Sequence, residues 1–291
     1  MPHKIFVFVP AFGQTITATT FLTTHALQQH LGAKGIGGGV STLSFPDIAE
    51  LREMALTIWY DTMPDVSHLL FIDADMGFTP DLITDMILFD EPLVGAIYPQ
   101  RKLPLSWAGS GTGQAQTERR GNFMLVEGVG MGCTLIRRDL VAKMIERFPE
   151  LEDKRLALHP AGDTLRNAGT GRLLRLFEKM DVPERGLISE DLSFCIRAAA
   201  VGAKCWAAIG HRMSHVGPYD YGARYLDVVE AAQAQMEAQQ AQPVQIALPQ
   251  TAGGSTVAEA VQVVAAREPA VPEPVVASPE PMEGPALQAA E

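Results

Sequence analysis

The 291-residue chain, 47% hydrophobic and 20% charged, is long enough for one large α/β domain or two small ones. Its net charge of −11 argues against strong non-specific binding to duplex nucleic acid, which works by neutralising phosphates, and leaves room only for a local basic cleft such as "QRK" at 100–102. No run approaches the roughly 20 apolar residues of a membrane-spanning helix, so no integral membrane segment is expected.

The N-terminal "IFVFVPAF" (5–12) reads as a first strand rather than a signal peptide, because the run is short and Pro10 interrupts it. "TITATTFLTTHALQQHLG" follows as a helix stopped by Gly32. "GIGGGVSTLS" is a glycine-rich passage ending in a short strand. Gly35, Gly37, Gly38 and Gly39 match neither G-x-x-x-x-G-K-[ST] nor a G-x-G-x-x-G placed between strand and helix, so they read as a surface turn. "DIAELREMALTIWYDT" is an amphipathic helix with Asp47 in the N-cap position. A buried strand, "HLLFI", comes next; Pro80 then opens the helix "PDLITDMILF", and "PLVGAIYP" (92–99) is a further strand. This alternation predicts an α/β fold with a mostly parallel sheet flanked by helices.

In the second half, a loop and hairpin lead to the strand "MGCTLIR" and a helix. Residues 151–187 have the polarity and glycine content of a mobile lid or an acceptor-binding insert. Ser189 suits an N-cap, Glu190 and Asp191 suit a first turn, and Gly202 suits a helix stop. "KCWAAI" is a strand, followed by the histidine-bearing "HRMSHVG". Cys133, Cys195 and Cys205 lack metal-ligand spacing and read as buried, reduced thiols of a cytoplasmic protein. Residues 226–240 read as a C-terminal helix. From 241 to 291 the chain, rich in Ala, Pro, Glu and Val and without aromatics, is expected to be a disordered tail able to recruit other proteins.

The chemistry concentrates in "HLLFIDADMGFTPDLI", where the apolar strand ends in Asp73 and Asp75. Residues i and i+2 of an extended chain point the same way, so the two carboxylates can converge on one point. Like charges that close call for a cation or a proton between them, which suggests a divalent metal at the carboxyl end of a strand. A solvated turn is the alternative.

Three features in order, "DAD" after a strand, "SED" at a helix start and "SHVG" after a strand, together with "VGAIYPQRK" and "GVGMGCTLIRRDL", resemble nucleotide-sugar glycosyltransferases of the GT-A fold, of the family-2-like kind found in bacteria and their phages. The resemblance spans roughly residues 4–225 and implies a GT-A, Rossmann-like domain over 1–225. It implies that Asp73 and Asp75 are a DxD motif holding the metal and the donor's diphosphate, with His215 completing the metal site. Mn²⁺ accepts imidazole more readily than Mg²⁺, so Mn²⁺ is the expected ion. Glu190 and Asp191 fall where the family places its catalytic carboxylate. Asp191 is the expected general base and Glu190 the alternate; in a retaining enzyme one of them would position the acceptor. Pro10 and Ala11 lie where the nucleotide base is expected. Arg52 matches an arginine near the nucleotide, although the family often follows it with Asn where this chain has Glu53. Arg101 and Lys102 are expected near the diphosphate or acceptor, Gly128, Gly130 and Gly132 where backbone approaches the sugar, and Trp107 as a platform for sugar or base.

Two other readings stand beside this one. A nucleotidyltransferase that makes the activated sugar usually carries a cationic glycine-rich loop after its first strand, and "PAFGQTITATT" has no cation. A non-catalytic sugar-nucleotide binder or interaction protein is the third. The acceptor stays open between glycan, lipid-linked sugar, protein and, as a minority reading, a hydroxymethylated pyrimidine in DNA.

Overall fold

The computed structural model describes residues 3–109 and 118–241. The chain divides into two units, Met1–Ala231, which carries everything discussed below, and Ala232–Glu291, of which the helix residues up to Ala241 are described. Of the tail expected over 241–291, Ala241 still belongs to the helix and the rest lies outside the described residues.

Eight strands form the main sheet: β1 (Lys4–Pro10), β2 (Gly37–Leu43), β3 (His68–Ile72), β4 (Leu93–Ala96), β5 (Arg119–Arg120), β6 (Phe123–Val126), β7 (Cys133–Arg137) and β8 (Cys205–Ala208). Their order is β2-β1-β3-β7-β4-β8-β6-β5, and β6 and β7 run against the other six. This is the expected mostly parallel α/β sheet. The helices are α1 (Ala18–Ala33), α2 (Ile48–Thr62), α3 (Asp81–Phe89), α4 (Arg138–Arg147), α5 (Gly162–Asn167), α6 (Glu190–Ala200) and α7 (Tyr225–Ala241).

The two-residue period of the strands sorts the core into two layers. Phe6, Phe8, Leu69 and Phe71 face α2 through Leu51, Ala55 and Trp59, with α4 and α6 adding Leu140, Met144 and Phe194. Ile5, Val7, Val9, Leu70 and Ile72 point the other way, onto Leu27 and Leu31 of α1 and Leu82, Ile83 and Met86 of α3. Both faces of β1 and β3 are thus covered, and the parallel register Phe8↔Phe71 brings their carboxyl ends to one edge.

Several sequence-based boundaries differ. Gly37–Gly39 form no surface turn; they belong to β2 and pair with Lys4, Ile5 and Phe6. A Cβ on Gly38 would stand 1.8 Å from the Ile5 carbonyl oxygen, so close backbone approach, not a reversal, requires glycine there. α1 passes through Gly32 and is stopped by Gly35 at φ +70°, with the Ile36 N–H reaching back to the Leu31 carbonyl at 2.9 Å. "PLVGAIYP" is two strands, β4 and a short piece, Tyr98–Pro99, which pairs with Trp107–Ala108.

Residues 151–187 are a packed insert rather than a mobile lid. Leu156, Ala161, Leu165 and Leu173 bury with Met54 of α2, the Leu174 N–H donates to Thr57 Oγ1 at 2.9 Å, and Phe177 stacks on Phe194. Cys133, Cys195 and Cys205 are buried free thiols. No described helix is long and apolar enough to cross a membrane.

Candidate active site

The turn leaving β3 is stitched to its surroundings through its backbone, which aims the two aspartates. The Asp73 N–H donates to the Gly132 carbonyl at 3.0 Å, and the Val216 N–H donates to the Asp75 carbonyl at 2.7 Å. Met76–Gly77 pairs with Ser214 and His215 of the strand Met213–Val216. That pairing carries His215 to Asp75, with Nε2 3.3 Å from Oδ2. The opposite ring nitrogen, Nδ1, lies 2.9 Å from the Pro99 carbonyl oxygen, a contact that requires an N–H there and so directs the Nε2 lone pair of a neutral ring toward Asp75. Burial works against a protonated ring, but Asp75 and the Pro99 carbonyl outweigh it and raise the His215 pKa. Arg101 Nη1 meets the same Asp75 oxygen at 2.9 Å. These groups line a cleft of about 620 Å³ with Pro10, Phe12, Thr17 and Ile48. Phe12, 63% exposed, stands at its lip.

Asp73 is held from α2. Arg52 donates from Nη2 to Asp73 Oδ1 at 2.9 Å and from Nη1 to Glu190 Oε1 at 2.5 Å. The arginine is buried; burial disfavours its charge, and Asp73 and Glu190 together more than restore it, so its pKa is raised. Glu190 is therefore committed to an ion pair. The next residue on α2, Glu53, is 3% exposed with no hydrogen-bond partner for Oε1 among the described residues, and burial pushes its carboxyl up to about 8.

A second, smaller cavity of about 170 Å³ is lined by Gln100, Trp107, Gly128, Gly130, Ser189 and Asp191. Gln100 faces this cavity and Arg101 the larger cleft, so consecutive residues border the two. Ser189 occupies the N-cap position of α6 but caps nothing with its side chain. Its hydroxyl donates instead to Asp191 Oδ1, which also accepts the Leu192 N–H at 2.8 Å. Both bonds fall on Oδ1, and Asp191 lines the cavity.

Tyr98 touches residues of both spaces, His215 of the cleft and Gly130 of the smaller cavity. Its hydroxyl accepts the Gly132 N–H at 3.2 Å, and its ring meets the His215 ring edge-on at 5.4 Å. Burial pushes its phenol well above the usual range. A Cβ on Gly130 or Gly132 would come within 2.4 or 2.7 Å of the tyrosine, so these glycines make room for Tyr98 first.

The structure thus gathers Pro10, Asp73, Asp75, Arg101 and His215 in one cleft and Trp107, Gly128, Gly130 and Asp191 in the other, with Arg52 and Glu190 between them. Ala11 is buried, its N–H bonded to the Leu43 carbonyl; Gly132 joins Asp73 to Tyr98 through its backbone; Lys102 is exposed and lines neither cavity. Among the described residues no three His, Cys, Asp or Glu side chains converge as a ready metal-binding group, since Asp73 is turned toward Arg52. Phe12, Tyr98 and Gln100 went unnoticed in the sequence. Phe12 and Tyr98 sit in apolar strand-like runs that read as core, and in "VGAIYPQRK" the two cations Arg101 and Lys102 draw the reading away from Gln100.

No protein-family model matches the chain, and no curated protein matches it. Among solved structures, it is similar to A197 from STIV, at 16% identity over 74% of this chain and 86% of that one, with a TM-score of 0.42. UDP-glucose pyrophosphorylase complexed with UDP-glucose aligns at 9% identity over 82% of this chain and all of that one, TM-score 0.38. A mutant Drosophila β1,4-galactosyltransferase 7 in complex with manganese, UDP-Gal and xylobiose aligns at 14% identity over 49% of this chain and 52% of that one, TM-score 0.26.

Proposed function

We propose that the chain is a metal-dependent glycosyltransferase of GT-A type, moving a sugar from a nucleoside-diphosphate sugar to a hydroxyl acceptor. The observation that carries this reading is the pair of carboxylates after β3, with His215 and Arg101 meeting Asp75 in one cleft and the carboxylate of Asp191 in the neighbouring one. Asp75 and His215 suit a divalent ion as an oxygen and an imidazole ligand, with Asp73 beside them. The His215 Nδ1 contact to a backbone carbonyl is the outer support that metal-ligating histidines use. Such an ion, Mn²⁺ in preference to Mg²⁺, supplies Lewis-acid stabilisation of the leaving diphosphate when bound.

The chain's own residues do the rest. Arg52 fixes Asp73, and Glu190 serves as the second anchor of Arg52, so Glu190 positions rather than reacts. Pro10 and Phe12 offer an apolar edge to the nucleobase. Asp191, with one oxygen fixed by Ser189 and the Leu192 N–H, takes the acceptor's proton through the other, next to Trp107 as a sugar platform. Among the described residues Ala11–Thr17 brings no cation to the cleft, which favours sugar transfer over nucleotidyl transfer. Residues 1–225 would form the catalytic domain, 226–240 its trailing helix and 241–291 a tail free for other partners. The buried free thiols agree with a reducing, cytoplasmic setting.

The test is product formation from a panel of nucleotide sugars, with release of free sugar to water scored where no acceptor is supplied. Asp75→Asn should abolish turnover and Asp191→Asn should lower acceptor transfer about 10²–10⁴-fold. Release of pyrophosphate instead of nucleoside diphosphate would move the chain to the nucleotidyltransferases.

A further inference from the structure

We infer that Arg101 is a built-in counter-ion that neutralises Asp75 while no metal is bound and moves to the donor's diphosphate when a metal takes its place. The inference rests on the reading of the cleft as a metal–diphosphate site and adds to it a competition between a side chain and the ion.

Asp73 and Asp75 each have an arginine, and the two arginines are built differently. The Arg52 side chain is 5% exposed and spans two carboxylates, a fixed element of the protein. The Arg101 side chain is 52% exposed, and among the described residues Asp75 is its one carboxylate partner. A half-exposed single ion pair contributes little net stability, so it exchanges readily. The Arg101 stem packs along Gly217 of the cleft wall, where a Cβ would stand 3.1 Å from its Cδ.

The contact geometry sets up the competition. Arg101 Nη1 and His215 Nε2 both address Asp75 Oδ2, at 2.9 and 3.3 Å. An ion held by Asp75 and His215 would meet the guanidinium as a like charge at the same carboxylate, and this repulsion weakens the Arg101 contact. The displaced guanidinium keeps a planar fork of donors that matches phosphate oxygens, and it already lines the cleft a diphosphate would occupy. Arg101 thus opposes the ion alone and assists the ion with its diphosphate.

The consequence is a pair of effects of opposite sign. Arg101→Gln should tighten binding of Mn²⁺ alone by about threefold, because a competing charge is gone. It should weaken binding of inorganic pyrophosphate at saturating Mn²⁺ by about tenfold or more, because charge-assisted bonds are lost. Arg101→Lys, which keeps the charge without the fork, should leave Mn²⁺ affinity near wild type and give an intermediate loss of pyrophosphate. Calorimetry with MnCl₂ and then with pyrophosphate, at fixed pH on the full chain, reads both quantities without any turnover. Changes of the same sign in both, or an unchanged Mn²⁺ affinity in Arg101→Gln, overturn the inference while a wild type that binds both leaves the metal reading intact. If neither wild type nor Arg101→Gln binds Mn²⁺, the metal reading and the inference fall together.

Discussion

Asp73 and Asp75 are two residues apart in one motif, yet they live in different surroundings. Asp73 is clamped by Arg52, which is almost fully buried and also holds Glu190 from α6. Asp75 answers to Arg101 and His215, of which the arginine is half in solvent. The motif's spacing is blind to this difference, because the deciding quantity is the burial of the partner. A buried charge must stay paired, whereas an exposed one can be traded. The first carboxylate is therefore held as scaffold, and the second is the adaptable one.

The comparison breaks most visibly in stability. Arg52→Ala leaves Asp73 and Glu190 without their cation and should destabilise the fold by about 3–5 kcal/mol, against less than about 1 kcal/mol for Arg101→Ala, read from denaturant unfolding of both. Equal losses would erase the distinction between a fixed and an exchangeable arginine.

Glu53 extends the comparison to a buried acid without a full set of partners. Its folded pKa of about 8 lies above the ordinary 4.5, so the native state holds the proton more tightly than the unfolded chain does. That contribution is complete below about pH 4.5 and is lost as pH rises through 8. Glu53→Gln should remove this decline, a difference of about 4 kcal/mol between pH 5 and pH 9. Unfolding curves across that range test it, and an unchanged slope in the variant would mean that Glu53 is ionised in the fold.

Tyr98→Phe removes the acceptor of the Gly132 N–H, which joins the Asp73 side to the small cavity; the expected loss is about 1–3 kcal/mol with the His215 ring contact kept. At the small end, Lys102→Ala should stay within about 0.5 kcal/mol and leave Mn²⁺ binding unchanged, since Lys102 lines neither cavity.

Much of the sheet was legible because β1, β3 and β4 are apolar runs covered on both faces, and Asp47 does cap α2 through the Ala49 and Glu50 N–H groups. Only the end of β2 was legible, as a short strand; its opening residues Gly37–Gly39 pair by backbone alone and carry no side-chain pattern to read. Residues 151–187 misled for a related reason, since Leu173, Leu174 and Phe177 are anchored one by one on α2 and α6 without a helical or strand period. In the site, the carboxylates were visible as a motif, but Arg52 is bonded across 21 residues to Asp73 and across 138 to Glu190. No local pattern reports such a pairing. Tyr98 stayed hidden because a buried tyrosine in an apolar run looks like core until its hydroxyl is seen against Gly132.

The proposed function requires that a metal and a nucleoside diphosphate dock together at Asp75. Thermal unfolding of wild type and Asp75→Asn with a panel of nucleotide sugars, each with and without Mn²⁺, tests it most directly. A ligand at a hundredfold excess over its Kd adds about 2.7 kcal/mol to the native state, a shift well within reach of the measurement. We expect one nucleotide family to stabilise the wild type only when Mn²⁺ is present, and the effect to vanish in Asp75→Asn. A folded wild type that no nucleotide stabilises, or an equal Mn²⁺-dependent shift in the mutant, would contradict the account.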